Sequence, residues 1–414
     1  MTSEGPSEAY VWIWLPGADE PVVAGRIEAD GATLFFNYGR SYLSNPSAVP
    51  LYEPELPLQP GRIRPLANLE MAGCIADAGP DAWGKSVIMR RLMGTGSRGA
   101  DPAQLSPLTY LLETGSNRIG ALDFQESPTH YVARGGGASL EEFLQAAERM
   151  EKGVPFSMEV DGALLHGSSV GGARPKALLR EDDRQLIAKF SSSTDSYPIV
   201  KGEYAAMALA RRTGLNVANV EFVQALGKDV LLVERFDRVV GRDERKSIVS
   251  ALTILELGEM FARYATYPDL ADQMRSRFLE GEVAVRELFS RIVFNVLVGN
   301  TDDHARNHSA FWDGRDLALT PAYDICPQPR VGGETAQAMA IGRDGFRLSR
   351  LAGCVEAAPE YLLSESEARQ IIDRQIEAIE TGWDEVADEA QMTEADRRYF
   401  WRRQFLNPFA LHGY

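Results

Sequence analysis

The sequence predicts an α+β fold in which a strand-rich, mixed α/β amino-terminal half packs on a helical carboxy-terminal half. Residues 9–37 alternate apolar and polar side chains around the turn signals PGAD and EADGA, the pattern of a β-meander. The segments QLIAKF (185–190), VEFVQAL (220–226) and DVLLVERF (229–236) read as strands of an antiparallel sheet. Beyond about Val240 the apolar spacing is mostly helical to the end.

Between these landmarks the pattern is helical from about Leu66 to Met93, with a break at Gly79-Pro80. Residues 115–137 (GSNRIGALDF, then HYVARGGG) read as a short strand and a turn. Ser139 and Glu142 have capping-box spacing at the start of SLEEFLQAAERMEKG. A Gly/Ser-rich stretch, HGSSVGGARPKALL, occupies 166–179, and the helix GEYAAMALARRTGL ends at Gly214. These shifts divide the chain into a β-rich subdomain (1–137), a second unit (138–240) and a helical unit (241–414), without an internal repeat.

The 414 residues are 44% hydrophobic, enough for a large core. With 43 basic against 59 acidic residues the formal net charge is -16, which disfavours nonspecific nucleic-acid binding without a local basic patch. Cys74, Cys326 and Cys354 are odd in number and far apart, as in a reducing compartment, and with five histidines they form no zinc-ligand spacing. The start, MTSEGPSEAY, lacks the apolar core of a signal peptide, and no apolar run approaches the roughly 18–20 residues of a spanning helix. A soluble, cytoplasmic chain with no membrane partner is expected.

Gly79-Pro-Asp-Ala-Trp-Gly84-Lys85-Ser86 satisfies the P-loop pattern, but the preceding NLEMAGCIADA has helical rather than strand spacing. A turn between two helices is the better reading. The most informative stretch is 294–325, FNVLVGNTDDHARNHSAFWDGRDLALTPAYDI. Asp302 and Asn307 stand five apart where an apolar helix ends, and Asp324 lies seventeen residues beyond Asn307. A kinase catalytic loop needs such a pair: an Asp to accept the hydrogen bond of the attacking hydroxyl and an Asn to ligate magnesium. The intervening HSAFW-DGRD-LALTP reads as a β-hairpin that returns Asp324 beside Asn307, giving hard oxygen ligands to one metal.

Upstream, Lys189 in a strand and Glu203 on the next helix have the order of a phosphate-clamping lysine and its carboxylate partner. Alone, Lys189 is an ordinary exposed strand residue and Glu203 an ordinary helix-start acid. Glycines in Ser168-Ser169-Val170-Gly171-Gly172-Ala173-Arg174-Pro175-Lys176 allow backbone approach to phosphates, as they would in any flexible loop. Glu234-Arg235-Phe236 ends a strand where a kinase hinge meets adenine; an edge strand with a surface ion pair is the plainer alternative.

In this order SVGGARPK, IAKF, VERFDR, NTDDHARN and LTPAYD resemble the HipA family of bacterial serine/threonine kinases, the toxins of toxin–antitoxin pairs; the likeness covers about residues 10–400. It implies a two-lobed protein-kinase-like fold: a mixed α/β amino-terminal lobe with an extra amino-terminal subdomain, and an all-α carboxy-terminal lobe. It implies ATP and Mg as cofactors, Asp302 as catalytic base, and Asn307 with Asp324 on the metal. Lys189 would bind phosphate, and Gly171, Gly172, Ala173, Arg174, Pro175 and Lys176 would line the nucleotide. Glu234, Arg235 and Phe236 would meet adenine, while His304, Ala305, Arg306, Asn307 and Tyr323 complete the site. Ser169 falls where the family carries a regulatory autophosphorylated serine. Implied partners are a protein substrate, aminoacyl-tRNA synthetases among the family's targets, and a small helix-turn-helix antitoxin through which alone DNA is met.

The chain departs from some members in carrying Arg174-Pro175 where they have Gln-Glu, and the family's DNA-contacting positions find no match. The nearest basic cluster, Arg397, Arg398, Arg402 and Arg403 among Tyr399, Phe400, Trp401 and Phe405, reads as a packed amphipathic helix after a cap at Thr393. A small-molecule kinase on the same fold, or a nucleotide-binding regulator without catalysis, remains an alternative.

Overall fold

A computed structural model describes residues 5–94, 101–135, 139–152, 154, 164, 176–192, 195–330 and 332–414. The first unit is a five-stranded antiparallel sheet in the order β4-β3-β2-β1-β5. Its strands are β1 (Glu8–Ile13), β2 (Val22–Asp30), β3 (Thr33–Tyr38), β4 (Arg62–Ile63) and β5 (Leu122–Gln125). Alternation explains its core face: Ala9, Val11 and Ile13 of β1 are buried, as are Phe36 and Tyr38 of β3. Four helices accompany this sheet: α1 (Arg40–Leu43), α2 (Gly73–Ala76), α3 (Ala82–Met93) and α4 (Pro107–Glu113). Gly79-Pro80 lies between α2 and α3, so helix precedes and follows the P-loop-like string.

Helix α5 (Leu140–Glu151) starts with the expected capping box, Ser139 and Glu142 exchanging backbone-to-side-chain bonds of 2.8 and 3.1 Å. A second antiparallel sheet follows in the order β6-β7-β9-β8: β6 (Lys176–Glu181), β7 (Arg184–Phe190), β8 (Val220–Ala225) and β9 (Lys228–Glu234). Leu186, Ala188 and Phe190 turn to one face, where Phe143 of α5 stacks on Phe190 at 5.0 Å. Leu231 and Val233 turn to the other, joining the main core with α6 (Ile199–Arg212). That helix begins three residues before the GEY read from the sequence, and Gly214, at φ +87°, ends it.

The third unit is helical around α9 (Gly281–Val298), preceded by α7 (Ala251–Ile254) and α8 (Tyr267–Arg277). Val285, Leu288, Phe289, Ile292, Val293 and Phe294 are all fully buried, so α9 is apolar on nearly every side, as a central helix must be. Besides helices this lobe carries a three-stranded sheet, β10 (Ser247–Ser250), β11 (Ser309–Trp312) and β12 (Leu317–Leu319). The β11–β12 hairpin turns on Asp313, which accepts the N–H of Arg315 and Asp316, and on Gly314 at φ +101°. Helices α10 (Leu351–Ala357), α11 (Glu365–Glu389), α12 (Glu394–Phe400) and α13 (Pro408–Leu411) complete it.

Thr393 caps α12 with Asp396 in a capping box. Arg397 pairs with Asp384 and Asp388, Arg402 with Glu380, and Trp401 stacks on Trp383 at 5.0 Å. Three of the four basic residues of this cluster are thus engaged within the chain, Arg397 and Arg402 by carboxylates and Arg403 over the Tyr399 ring. All three cysteines are buried and free, and no described helix is long and apolar enough to cross a membrane.

Candidate functional site

Lys189 lies on β7 directly opposite Lys176 on β6, so two ammonium groups share one face of the sheet. Like charges in this position destabilise a sheet unless anions meet them. Glu203, buried on α6, meets Lys189 at 2.5 Å, and Asp324 meets it from the other side. Asp81, the cap of α3, lies 3.4 Å from Lys176. Burial works against the charge on Lys189, but Asp324 and Glu203 outweigh it and hold the ammonium above its ordinary pKa. Lys189 in turn holds Asp324 down at about 2. Burial raises Glu203, with Lys189 opposing, and burial lowers Lys176 against the pull of Asp81.

Asp324 is delivered by the hairpin and by pinning of the residues before it. Ala322 donates to Asn216 at 2.8 Å and accepts from Ala218 at 2.9 Å. Tyr323 donates to the carbonyl of Arg306 at 2.7 Å and shares a hydrogen bond with Ser309 at 2.6 Å. Asp324 itself has φ +60°, a left-handed backbone that costs energy in a non-glycine residue and concentrates at working sites.

The loop after α9 begins at Gly299, φ +73°. Its organiser is Asp303, whose buried Oδ2 accepts from Tyr267 Oη at 2.6 Å and Asn295 Nδ2 at 2.8 Å and lies 2.8 Å from His308 Nε2. With Asp303 anchored inward, Asp302 faces outward and is exposed. Partial burial of its carboxyl and the nearby Asp324 and Asp303 raise the Asp302 pKa, while His304 opposes them. Asn307 donates its amide to the Asp302 carbonyl at 3.3 Å, which leaves its Oδ1 for another partner. Asn307 Oδ1 and Asp324 are hard oxygen donors, and among the described residues no group of three or more His, Cys, Asp or Glu could hold a metal ion. Magnesium suits this set, since it takes few protein oxygens and completes its shell with phosphate and water.

The structure therefore gathers Lys176, Lys189, Asp302, His304, Asn307, Tyr323 and Asp324. Ala305 is buried in the 3-10 turn Ala305–Asn307. Arg306 points away, its guanidinium paired with Glu259 and 4.0 Å from Asp77. Glu234 accepts from Asn219 at 3.1 Å at the end of β9, and Phe236 packs on Phe311 and Tyr323. The buried Arg235 side chain runs to Asp237 and to the carbonyl of Asn117, tying the hinge strand to the first unit rather than entering the cleft. Ser169, Gly171, Gly172, Ala173, Arg174 and Pro175 lie outside the described residues.

Two functional groups escaped the sequence. Asp303 shares its neighbour's type, and spacing to Asn307 alone says nothing of its burial. Asp81 sits inside the P-loop-like string, where attention falls on Lys85, whose Nζ is 5.7 Å from the Tyr110 ring centre.

Comparisons with known proteins identify a family. Residues 14–125 match the HipA N-terminal domain and residues 168–383 the HipA-like C-terminal domain. The serine/threonine-protein kinase toxin HipA of Shewanella oneidensis is 28% identical over 211 residues, 44% of this chain and 48% of that protein. A putative kinase of Sinorhizobium fredii, Y4mE, is 31% identical over 150 residues, 34% of this chain and 33% of the relative. The chain thus aligns with half or less of each of these relatives. In structure it is similar to HipA from the Shewanella oneidensis complex of HipA, HipB and operator DNA, with a TM-score of 0.70, 20% identity and 95% of both chains covered. With the C-terminal profile matching more than half of its length, preceded by the N-terminal one, the chain belongs to the HipA family.

Proposed function

We propose that this protein is an ATP- and Mg-dependent serine/threonine protein kinase of the HipA toxin type. It phosphorylates a cellular protein in the cytoplasm to restrain growth, an aminoacyl-tRNA synthetase being one candidate, and is neutralised by a small helix-turn-helix antitoxin that binds DNA. The observation that carries this reading is the Lys189 ammonium held between Glu203 and Asp324, with Asp302 near enough to Asp324 to feel its charge.

The residues divide the work. Lys189, kept charged by two carboxylates, steadies phosphate oxygens, and Lys176 adds a second positive charge on the same face. Asn307 and Asp324 would hold magnesium, which when bound would supply charge neutralisation at the phosphate. Asp302 accepts the hydrogen bond of the incoming serine or threonine hydroxyl and takes its proton; its raised pKa makes it a stronger base than an ordinary carboxylate. Phe236 and the strand end at Glu234 border the adenine, while the Arg235 side chain ties that strand to the first unit.

Purified protein incubated with γ-labelled ATP, magnesium and a cell extract should label protein, and the Asp302→Asn variant should not. Failure of the wild-type protein to bind ATP would end this reading. Ser169 is the proposed site of self-phosphorylation: a phosphate there adds roughly 1.5–2 negative charges beside the ATP tail and should switch the enzyme off. Mass spectrometry of the active protein and of Asp302→Asn checks it, with phosphate expected on the former alone.

A further inference from the structure

The first unit reaches the lysine face of the second sheet through one side chain. Lys176 opens β6, the edge strand of that sheet, and α3 of the first unit packs beside it. Trp83 and Val87 of α3 are buried in one cluster with Ala177, Ala188 and Phe190, and the Trp83 ring lies 6.0 Å from that of Phe143. Apolar packing therefore seats α3 on the sheet independently of any charge. Its N-cap, Asp81, divides its two oxygens: Oδ1 accepts the Gly84 N–H at 2.7 Å, and Oδ2 meets Lys176 Nζ at 3.4 Å. A carboxylate held at one oxygen as a cap has little freedom to swing, so it sets where the ammonium rests.

Lys176 has two reasons to need such a partner. Its side chain is 3% exposed, and across the strand pair it faces Lys189, so it meets both a desolvation cost and a like charge. Burial pushes its pKa down, Asp81 pulls it up, and Lys189 pushes it down again. Asp81 is itself 14% exposed, so water and salt screen little of the attraction. Lys189 has its own carboxylates in Glu203 and Asp324. Take the Asp81 charge away, and burial and Lys189 together favour a neutral amine, which draws phosphate weakly.

We propose that Asp81 is a positioning residue of the nucleotide site: it holds the Lys176 ammonium in place for the phosphate tail, so that the first unit completes a site otherwise built by the other two. The proposal rests on the ATP-binding part of the kinase reading and adds to it a residue from the first unit. It also gives the P-loop-like string a part in phosphate binding, through its aspartate and not through Lys85, whose Nζ lies 5.7 Å from the Tyr110 ring centre.

Asp81→Asn is the test, because asparagine caps a helix as well as aspartate and removes only the charge. Calorimetry of the full chain with ATP and magnesium should show affinity weakened about fivefold or more in this variant. Adenosine, which has no phosphate, should bind wild type and variant alike, which a general distortion of the site would not allow. Asp81→Glu returns the charge and should recover part of the ATP affinity, although glutamate is not a favoured cap. In a Lys176→Gln background, where Lys189 still meets the phosphates, Asp81→Asn should add no further loss, since it acts through Lys176. Unchanged or tighter ATP binding in Asp81→Asn, an equal loss for adenosine, no recovery in Asp81→Glu, or an additive loss on Lys176→Gln each overturns the proposal. Phosphate transfer is read separately with labelled ATP. Transfer by a protein whose ATP affinity is indifferent to Asp81 defeats the positioning role alone. ATP binding that depends on Asp81, in a protein that labels nothing, defeats the kinase reading and leaves the positioning role standing.

Discussion

Asp302 and Asp303 are adjacent in the chain and opposite in environment. Asp303 is buried, yet its partners outweigh the cost of burial: His308 and the Tyr267 hydroxyl lower its pKa. Asp302 lies on the outward side of the loop, and partial burial of its carboxyl with two neighbouring carboxylates raises its pKa. One residue therefore holds the loop and the other is left to act. Asp302→Asn should lower phosphate transfer by at least ~100-fold while leaving ATP affinity and melting temperature near wild type. Asp303→Asn should instead lower the melting temperature, because three hydrogen-bonding partners lose a charged acceptor at a buried site, with a cost of about 3 kcal/mol. Calorimetry of ATP binding, thermal unfolding and a transfer assay on both variants separate the two roles.

The two candidate phosphate lysines make an equally sharp contrast. Lys189 sits between Glu203 and Asp324, whereas Lys85 lies on α3 near Tyr110. Lys189→Ala should abolish transfer or weaken ATP binding; Lys85→Ala should leave affinity unchanged. Titration calorimetry with ATP and magnesium decides it, and a sensitive Lys85 would contradict the site described above.

The separation of Asp302, Asn307 and Asp324 was legible because a short hairpin is a local feature with strong turn signals. Lys189 and Glu203 could be named from their order on a strand and the next helix, but their pairing could not, since a strand lysine and a helix-start acid look the same whether or not they meet. Arg235 was not legible: a strand-end arginine looks the same whether it meets adenine or, as here, the carbonyls of Asn117 and Arg118 more than a hundred positions earlier. Nor was β10, whose pairing with β11 joins residues about sixty apart. Long-range partners leave no trace in local periodicity, which is why β10, beside the hairpin read from the sequence, escaped the reading of the helical lobe.

The Arg235 attachment has a pH signature. Asp237 is buried between Arg235 and Arg238, and although burial opposes its charge, the two guanidinium groups hold its pKa well below the ordinary carboxylate value. A depressed folded-state pKa gives stability that is full above the unfolded value near 4 and is lost as pH falls through the folded one. Unfolding free energy should therefore drop progressively below about pH 4, and Asp237→Asn should flatten that part of the drop. At neutral pH the same substitution should cost about 3–5 kcal/mol, since it strands buried guanidinium groups. Denaturant titrations at several pH values check both.

Glu203 owes its position to a close contact on the far side of its helix. Gly202 packs against the ring of Phe400, and a Cβ added there would stand 2.5 Å from a ring carbon. Phe400 is fully buried and held by Tyr399, Phe405 and Tyr197, so it has little room to retreat. Gly202→Ala should thus shift α6, pull Glu203 from Lys189 and weaken ATP binding, at an overpacking cost of about 1–3 kcal/mol. An opposing effect exists, since alanine is the better helix former by about 1 kcal/mol, but it is smaller than the upper part of that range. Trimming the obstacle distinguishes the two. If crowding dominates, Phe400→Leu should be destabilising alone yet restore part of the stability and ATP affinity of Gly202→Ala, giving a favourable coupling in a double-mutant cycle. Additive losses would mean that the added methyl group does not act through Phe400 and that Glu203 is positioned by something else.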